Sequence, residues 1–363
     1  MIDEMLKERH LPELMIHRDG SPVTAETWKA RRLELVDLLG EQMYGRMPVC
    51  SGATTWVESP HNDRAAAGIA WESTVRITFP TPDGTDYTFP IHLIVPKSAT
   101  AETPKPAFVF ISFGNILYYP AEELAESGVI VAEMVMNDIA LDDPDDGFRS
   151  GAAPHFFKNG CRKPDGVGAI GMWAFGASRV LDYLLAQDYV DRERVAVVGH
   201  SRLGKTALWA GANDTRFTHV ISNDSGCCGA AIIRGKIGEQ YPRITGKFPH
   251  WFCENMKQNA VSIERSYETG FDQHFLLAAV APRHVYVASA IEDDWSDPTS
   301  EYLCCCAASP AWEVNGLDGF IHHDRLPVPE ETLHDGMVGY HLRYGAHAFS
   351  RHDWQRYVAF IKK

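Results

Sequence analysis

Short apolar runs recur along the middle of this chain between stretches long enough to be helices: AFVFISF at 107–113, VIVAEMV at 129–135, RVAVVG at 194–199, HVISN at 219–223 and HVYVASA at 284–290. Runs that are apolar throughout suit strands buried on both faces, and helix-length spacers allow the crossovers that parallel strands require. The pattern predicts an α/β fold with a mostly parallel central sheet covered by helices on both faces, a three-layer sandwich. The spacer 168–186 (GAIGMWAFGASRVLDYLLA) is the most convincing helix, and DWQRYVAFI near the end reads as the last one.

Upstream of this pattern the texture differs. Residues 24–44 place apolar groups at Trp28, Leu33, Val36, Leu39 and Met43, a helical spacing with Thr24 as a possible cap. STVRITF and YTFPIHLIV alternate on either side of PTPDGTD, which predicts a hairpin over 73–95. Residues 1–95 therefore read as an N-terminal extension, helix plus hairpin, of a single domain spanning 1–363. Residues 138–165, rich in Asp, Pro and Gly, read equally as a loop over a site or a solvated connection.

With 363 residues, 45% of them hydrophobic, the chain can bury a large core without a disulfide or metal staple. Its 48 acidic against 34 basic residues give a formal charge of −14, which repels nucleic acid and anionic membranes. No apolar run approaches the ~18 residues that would span a bilayer. The opening MIDEMLKERH is acidic where a leader would be basic, so a cytoplasmic location is the expectation. The eight cysteines include Cys227–Cys228 and Cys304–Cys306; neighbours of this kind do not bridge easily and lack zinc-site spacing, so buried, reduced thiols are expected.

Three motifs compete for the chemistry. Gly166-Val-Gly168-Ala-Ile-Gly171 is a literal G-x-G-x-x-G, but CRKPD rather than a strand precedes it, which argues against a dinucleotide site. Gly199-His-Ser-Arg-Leu-Gly204-Lys205-Thr206 matches the phosphate-binding pattern G-x-x-x-x-G-K-[ST] and does join a strand to a helix. On that reading Lys205 and Thr206 would hold a nucleotide with magnesium, although such a loop usually follows the first strand of its domain. The same residues also form a strand-to-helix elbow that would project the Ser201 hydroxyl, with Gly204 one place later than the usual G-x-S-x-G.

A serine nucleophile needs a base and an acid to orient it, supplied in this fold class in the order Ser, acid, His. Asp224 follows the next apolar run, and Glu292, Asp293 and Asp294 follow the one after; either position can hold the acid. His347 lies in Tyr344-Gly-Ala-His347, just before the last helix. The full set favours the elbow.

These residues resemble a known family. GHSRLGKTALWAGANDTRF and VISNDSGCCGAA, with EQMYGRMP, PHWFC, DQHFLLAAVAPRHVYVASA, DWSDP and GYHLRYGAH, look like the bacterial branch of the glucuronoyl esterases, carbohydrate esterase family 15. The resemblance implies an α/β-hydrolase fold and hydrolysis of esters joining 4-O-methyl-glucuronate, a xylan branch, to lignin alcohols, with no metal or organic cofactor. It places the nucleophile on Ser201, the base on His347, the acid on Asp224 or near Asp293, and an oxyanion-holding arginine on Arg202. Uronate contacts fall on Lys205, Glu239 and Trp295. An acetyl esterase acting on xylan would share the nucleophile and differ in the acyl pocket. Where relatives often have G-G-H-D, this chain has Gly345-Ala346-His347-Ala348.

Overall fold

The computed structural model describes residues 1–50, 52–114, 119–157 and 161–363. The described residues form one ten-stranded sheet: β1 (Thr55–Glu58), β2 (Ala70–Pro80), β3 (Asp86–Pro96), β4 (Lys105–Ser112), β5 (Ile130–Val135), β6 (Val190–His200), β7 (His219–Asn223), β8 (His284–Ala290), β9 (Thr332–Leu333) and β10 (Val338–Arg343). Their spatial order is β1-β2-β3-β5-β4-β6-β7-β8-β10-β9. The run β5-β4-β6-β7-β8-β10 is parallel throughout, and the antiparallel partners lie at the two ends. Each predicted run became a strand, and the hairpin β2–β3 extends the same sheet through β5.

The apolar content explains the layering. Val109, Ile111, Val195 and Val197 pack with the helix Ala169–Leu185, whereas Phe108, Phe110, Ala196 and Val198 face the other way, onto the helix Arg351–Ile361. Alternate residues of a strand point to opposite faces, so a wholly apolar strand requires cover on both. The Gly-x-Gly-x-x-Gly segment serves this packing: a Cβ on Gly168 would lie 2.2 Å from the Trp251 carbonyl oxygen, and one on Gly171 2.2 Å from Val167. No helix among the described residues is long and apolar enough to cross a membrane.

Two local expectations need correction. The helix over 24–44 runs Trp28–Leu39, with Thr27 rather than Thr24 at its N-cap, and finishes in a π-turn, Gly40–Tyr44. Its inward face is Trp28, Arg31, Leu35 and Leu39, and Leu33 is exposed. Burial of Arg31 is satisfied by the Leu14 and Glu13 carbonyls and by Glu34, which is why a charged residue occupies the apolar stripe. Six cysteines are buried, but Cys161 is exposed. Within 138–165, residues 158–160 lie outside the described set; the described part folds into short 3-10 turns at the C-terminal edge of the sheet.

Candidate active site

Four adjacent parallel strands each end in a residue singled out from the sequence or in the loop that carries it. Ser201 follows β6, Asp224 follows β7, Asp293 lies three residues beyond β8, and His347 lies four beyond β10. Parallel strands ~4.8 Å apart bring such ends into one cluster.

Ser201 occupies the turn between β6 and the helix Arg202–Asn213 with φ +58° and ψ −123°, a conformation that L-residues adopt only under constraint. Two glycines make the turn possible. A Cβ on Gly199 would lie 2.2 Å from the Leu203 carbonyl oxygen, and one on Gly204 would come 3.0 Å from Ser222 Oγ and Ser225 Cβ. The tight contact at position 204, against the end of β7, accounts for the displaced second glycine of the motif. Gly199→Ala is expected to destabilise the fold by about 1–3 kcal/mol, measured by denaturant unfolding, because a backbone atom must move.

The same geometry disposes of the phosphate-binding reading. Lys205 is 4% exposed and donates from Nζ to the Ser225 carbonyl at 2.6 Å. Thr206 is fully buried and its hydroxyl donates to the Arg202 carbonyl of its own helix. Neither group is free to meet a phosphate or a magnesium ion.

His347 Nδ1–H donates to Asp293 Oδ2 at 2.6 Å, leaving Nε2 as the proton-accepting atom. His347 is 40% exposed in its side chain, and Asp293 is 4% exposed. Burial raises the Asp293 carboxyl, but hydrogen bonds from His347 and Ser296 outweigh it and hold the group below the usual carboxylate range. The His347 ring lies 4.5 Å, centroid to centroid, from His200, the residue before Ser201. Burial, reinforced by His347, pushes His200 down to about 3, so it stays neutral; its Nδ1 bonds Asn223 Oδ1 at 2.6 Å.

Asp224 also approaches His347: ligand atoms of Asp224, Asp293 and His347 all lie within 4.8 Å of one another. Its bonds go elsewhere, however. Oδ2 accepts from Arg343 Nη2 at 2.8 Å and from the Ala348 N–H at 3.2 Å. Burial raises the Asp224 carboxyl, against the pull of Arg343.

Arg202 leaves the helix N-terminus beside Ser201 and pairs through Nη1 with Asp142. Asp142 is 8% exposed in its side chain and also accepts from His250 Nε2 at 2.8 Å and Trp251 Nε1 at 2.6 Å. The guanidinium lies 4.8 Å from the Trp251 ring and 5.6 Å from that of Phe113. Asp142 was invisible in the sequence because nothing in an irregular loop marks which acid turns inward. Trp251 stacks on Phe248 at 3.9 Å and is buried, a packing residue rather than an open platform.

Of the remaining candidates, Glu239 is half-buried and its N–H donates to the Trp295 carbonyl at 3.0 Å. Trp295 is 52% exposed. A cavity of about 440 Å³, walled by Phe110, Phe113, His200, His347 and Phe349, opens on the base side.

A doubly covered parallel sheet with a strained serine elbow on its central strand and a histidine–carboxylate pair at the neighbouring strand ends defines an α/β-hydrolase, and here one that cleaves carboxylic esters. A family description, "Glucuronyl esterase, fungi", matches residues 80–316, and the chain belongs to the glucuronoyl esterase family. It is 34% identical to a carbohydrate esterase from an unknown prokaryote, covering 96% of this chain and 88% of that one. It is 26% identical to a 4-O-methyl-glucuronoyl methylesterase of Phanerochaete carnosa, covering 88% of this chain and 77% of that one. The solved glucuronoyl esterase of Solibacter usitatus superposes with a TM-score of 0.86 at 34% identity over 97% of each chain.

The family corrects one expectation. A cytoplasmic location does not fit a chain related to esterases of 4-O-methyl-glucuronoyl groups, which the xylan branches of plant walls carry outside cells.

Proposed function

We propose that this esterase hydrolyses esters of (4-O-methyl-)glucuronic acid, free or on an oligosaccharide, through a Ser201–His347–Asp293 triad. The pairing of His347 with a buried, ionised Asp293 beside a strained serine is the observation that carries the reading. Ser201 Oγ attacks the ester carbonyl while His347 Nε2 takes its proton; the tetrahedral intermediate collapses, the proton passes to the leaving alcohol, and water repeats the cycle on the acyl-enzyme. The developing oxyanion is assigned to Arg202, which Asp142 holds beside Ser201. Asp293 keeps the imidazole in the tautomer that presents Nε2.

On the acyl side we assign the uronate contacts to Glu239 and Trp295, whose loops are joined by the Glu239 N–H to Trp295 carbonyl bond, and to Lys205, whose Nζ donates to the Ser225 carbonyl. Neither a nucleic acid nor a membrane enters this reading. An activity-based fluorophosphonate probe is expected to label the wild type and not the Ser201→Ala variant. Methyl or benzyl glucuronate should be hydrolysed much faster than p-nitrophenyl acetate, each relative to its uncatalysed rate. Glu239→Ala should depress glucuronate ester hydrolysis about 5- to 150-fold, the equivalent of ~1–3 kcal/mol, and leave acetate hydrolysis nearly unchanged. Preference for acetylated xylan would instead give the acetyl esterase activity on the same serine.

A further inference from the structure

We propose that Arg343 is a positioning residue for the general base, clamping the loop that carries His347; the inference rests on the reading of His347 as that base. The loop itself has little to hold it. Tyr344 is 65% exposed, Gly345 has φ +95°, and Ala346 and Ala348 offer single methyl groups at exposed positions. Phe349, just beyond, packs on Trp354 and Phe110 and anchors the far end, but residues 344–348 place no apolar side chain in the core, so the position of His347 within that span depends on hydrogen bonds.

Arg343, the last residue of β10 and 5% exposed, supplies most of them. Its Nη1 donates to the carbonyls of Tyr344 at 3.1 Å and Ala346 at 3.0 Å, and Nη2 donates to the carbonyl of Ala348. The carbonyls on both sides of His347 are thus tied to one guanidinium. The cation is fixed in turn by Asp224 at 2.8 Å through Nη2 and by Asp353 at 3.2 Å through Nε. Asp224 closes the bracket by accepting the Ala348 N–H, and Asp353 is held by His341 Nε2 at 2.8 Å. Two further bonds steady the loop base: the Glu292 N–H donates to the Gly345 carbonyl, and the Tyr344 N–H to Glu330 Oε1.

This arrangement needs arginine. Five donors in a planar fork reach three carbonyls and two carboxylates at once, whereas a lysine carries three donors at one point. Asp224, on this view, acts on His347 through Arg343 and the Ala348 amide rather than by orienting the imidazole directly.

The test is Arg343→Lys, which keeps the charge between Asp224 and Asp353, together with Arg343→Ala assayed with and without added guanidinium chloride. Displacing a catalytic group by about 1 Å costs up to ~100-fold, so Arg343→Lys should lower kcat about 10- to 100-fold on glucuronate esters with KM within about threefold of wild type. Free guanidinium should restore Arg343→Ala at least ~10-fold, while leaving His347→Ala unaffected, as expected if the cation acts by placing the base. A folded Arg343→Lys enzyme with wild-type kcat, or a loss confined to KM, overturns the clamp. So does guanidinium that rescues neither variant. If wild-type turnover does not depend on Ser201 and His347, the site reading itself fails; if it does and Arg343→Lys is unimpaired, only the clamp fails.

Discussion

Ser201→Ala is expected to lower kcat on glucuronate esters by roughly 10⁶-fold, the scale seen when a triad nucleophile is removed. The oxygen that attacks is the one atom in the proposed site with no substitute: His347 can only carry the proton, Asp293 only orients the imidazole, and Lys205 is bound to Ser225. His347→Ala should cost nearly as much, and the double variant little more than either, because the two act as a unit. Residual turnover within ~100-fold of wild type in Ser201→Ala would remove the serine from the mechanism, since that is far above the background left by binding and oxyanion contacts. Stability should move the other way. Ser201 sits at φ +58°, so Ser201→Gly is expected to stabilise the fold by about 1–2 kcal/mol in denaturant titrations while abolishing turnover.

The second large effect separates the two acids. Asp293→Asn should cost about 10⁴-fold in kcat, because the amide offers the imidazole an N–H as readily as an oxygen and destabilises the imidazolium. Asp224→Asn should cost less than ~10-fold, since its amide oxygen still accepts from Arg343 and the Ala348 N–H and no direct bond to His347 is lost. The reverse order of losses would make Asp224 the orienting acid. The pH dependence has a definite sign. Hydrogen bonding keeps the Asp293 carboxyl below its unfolded range, so its contribution to stability is complete above the ordinary carboxylate pKa and is lost as pH falls through the lower folded value. Acid unfolding of Asp293→Asn should therefore show a shallower pH slope than the wild type in that range.

The strands legible in the sequence were those carried by a dominant apolar run or, in the hairpin, by apolar–polar alternation. β10 was not read as a strand because Val338-Gly-Tyr-His-Leu-Arg carries His341 and Arg343 inward, and their burial is satisfied by Tyr286, Asp353 and Asp224, partners distant in sequence. β1 escaped notice because its outer face is exposed and it is only four residues long. The helix Trp28–Leu39 is legible but its buried face is not, since Arg31 takes an inward position while the apolar Leu33 is exposed. At the site, Ser201 and His347, proposed as nucleophile and base, were readable from motif and order. The choice between Asp224 and Asp293 was not, because a side chain's aim at a strand end depends on backbone angles such as the φ +44° of Asp224.

Drawing the site from four neighbouring strand ends also sets an order of events during synthesis. A ribosome that has delivered residues 1–337 has made the elbow and both acids, but neither β10 nor the base. Until β10 docks along β8, through pairs from Val338–Val285 to Arg343–Ala290, the chain lacks a positioned His347 and is expected to show no ester turnover. Recovery of turnover during refolding should therefore follow the arrival of this one strand, and so time the completion of the sheet rather than its initiation.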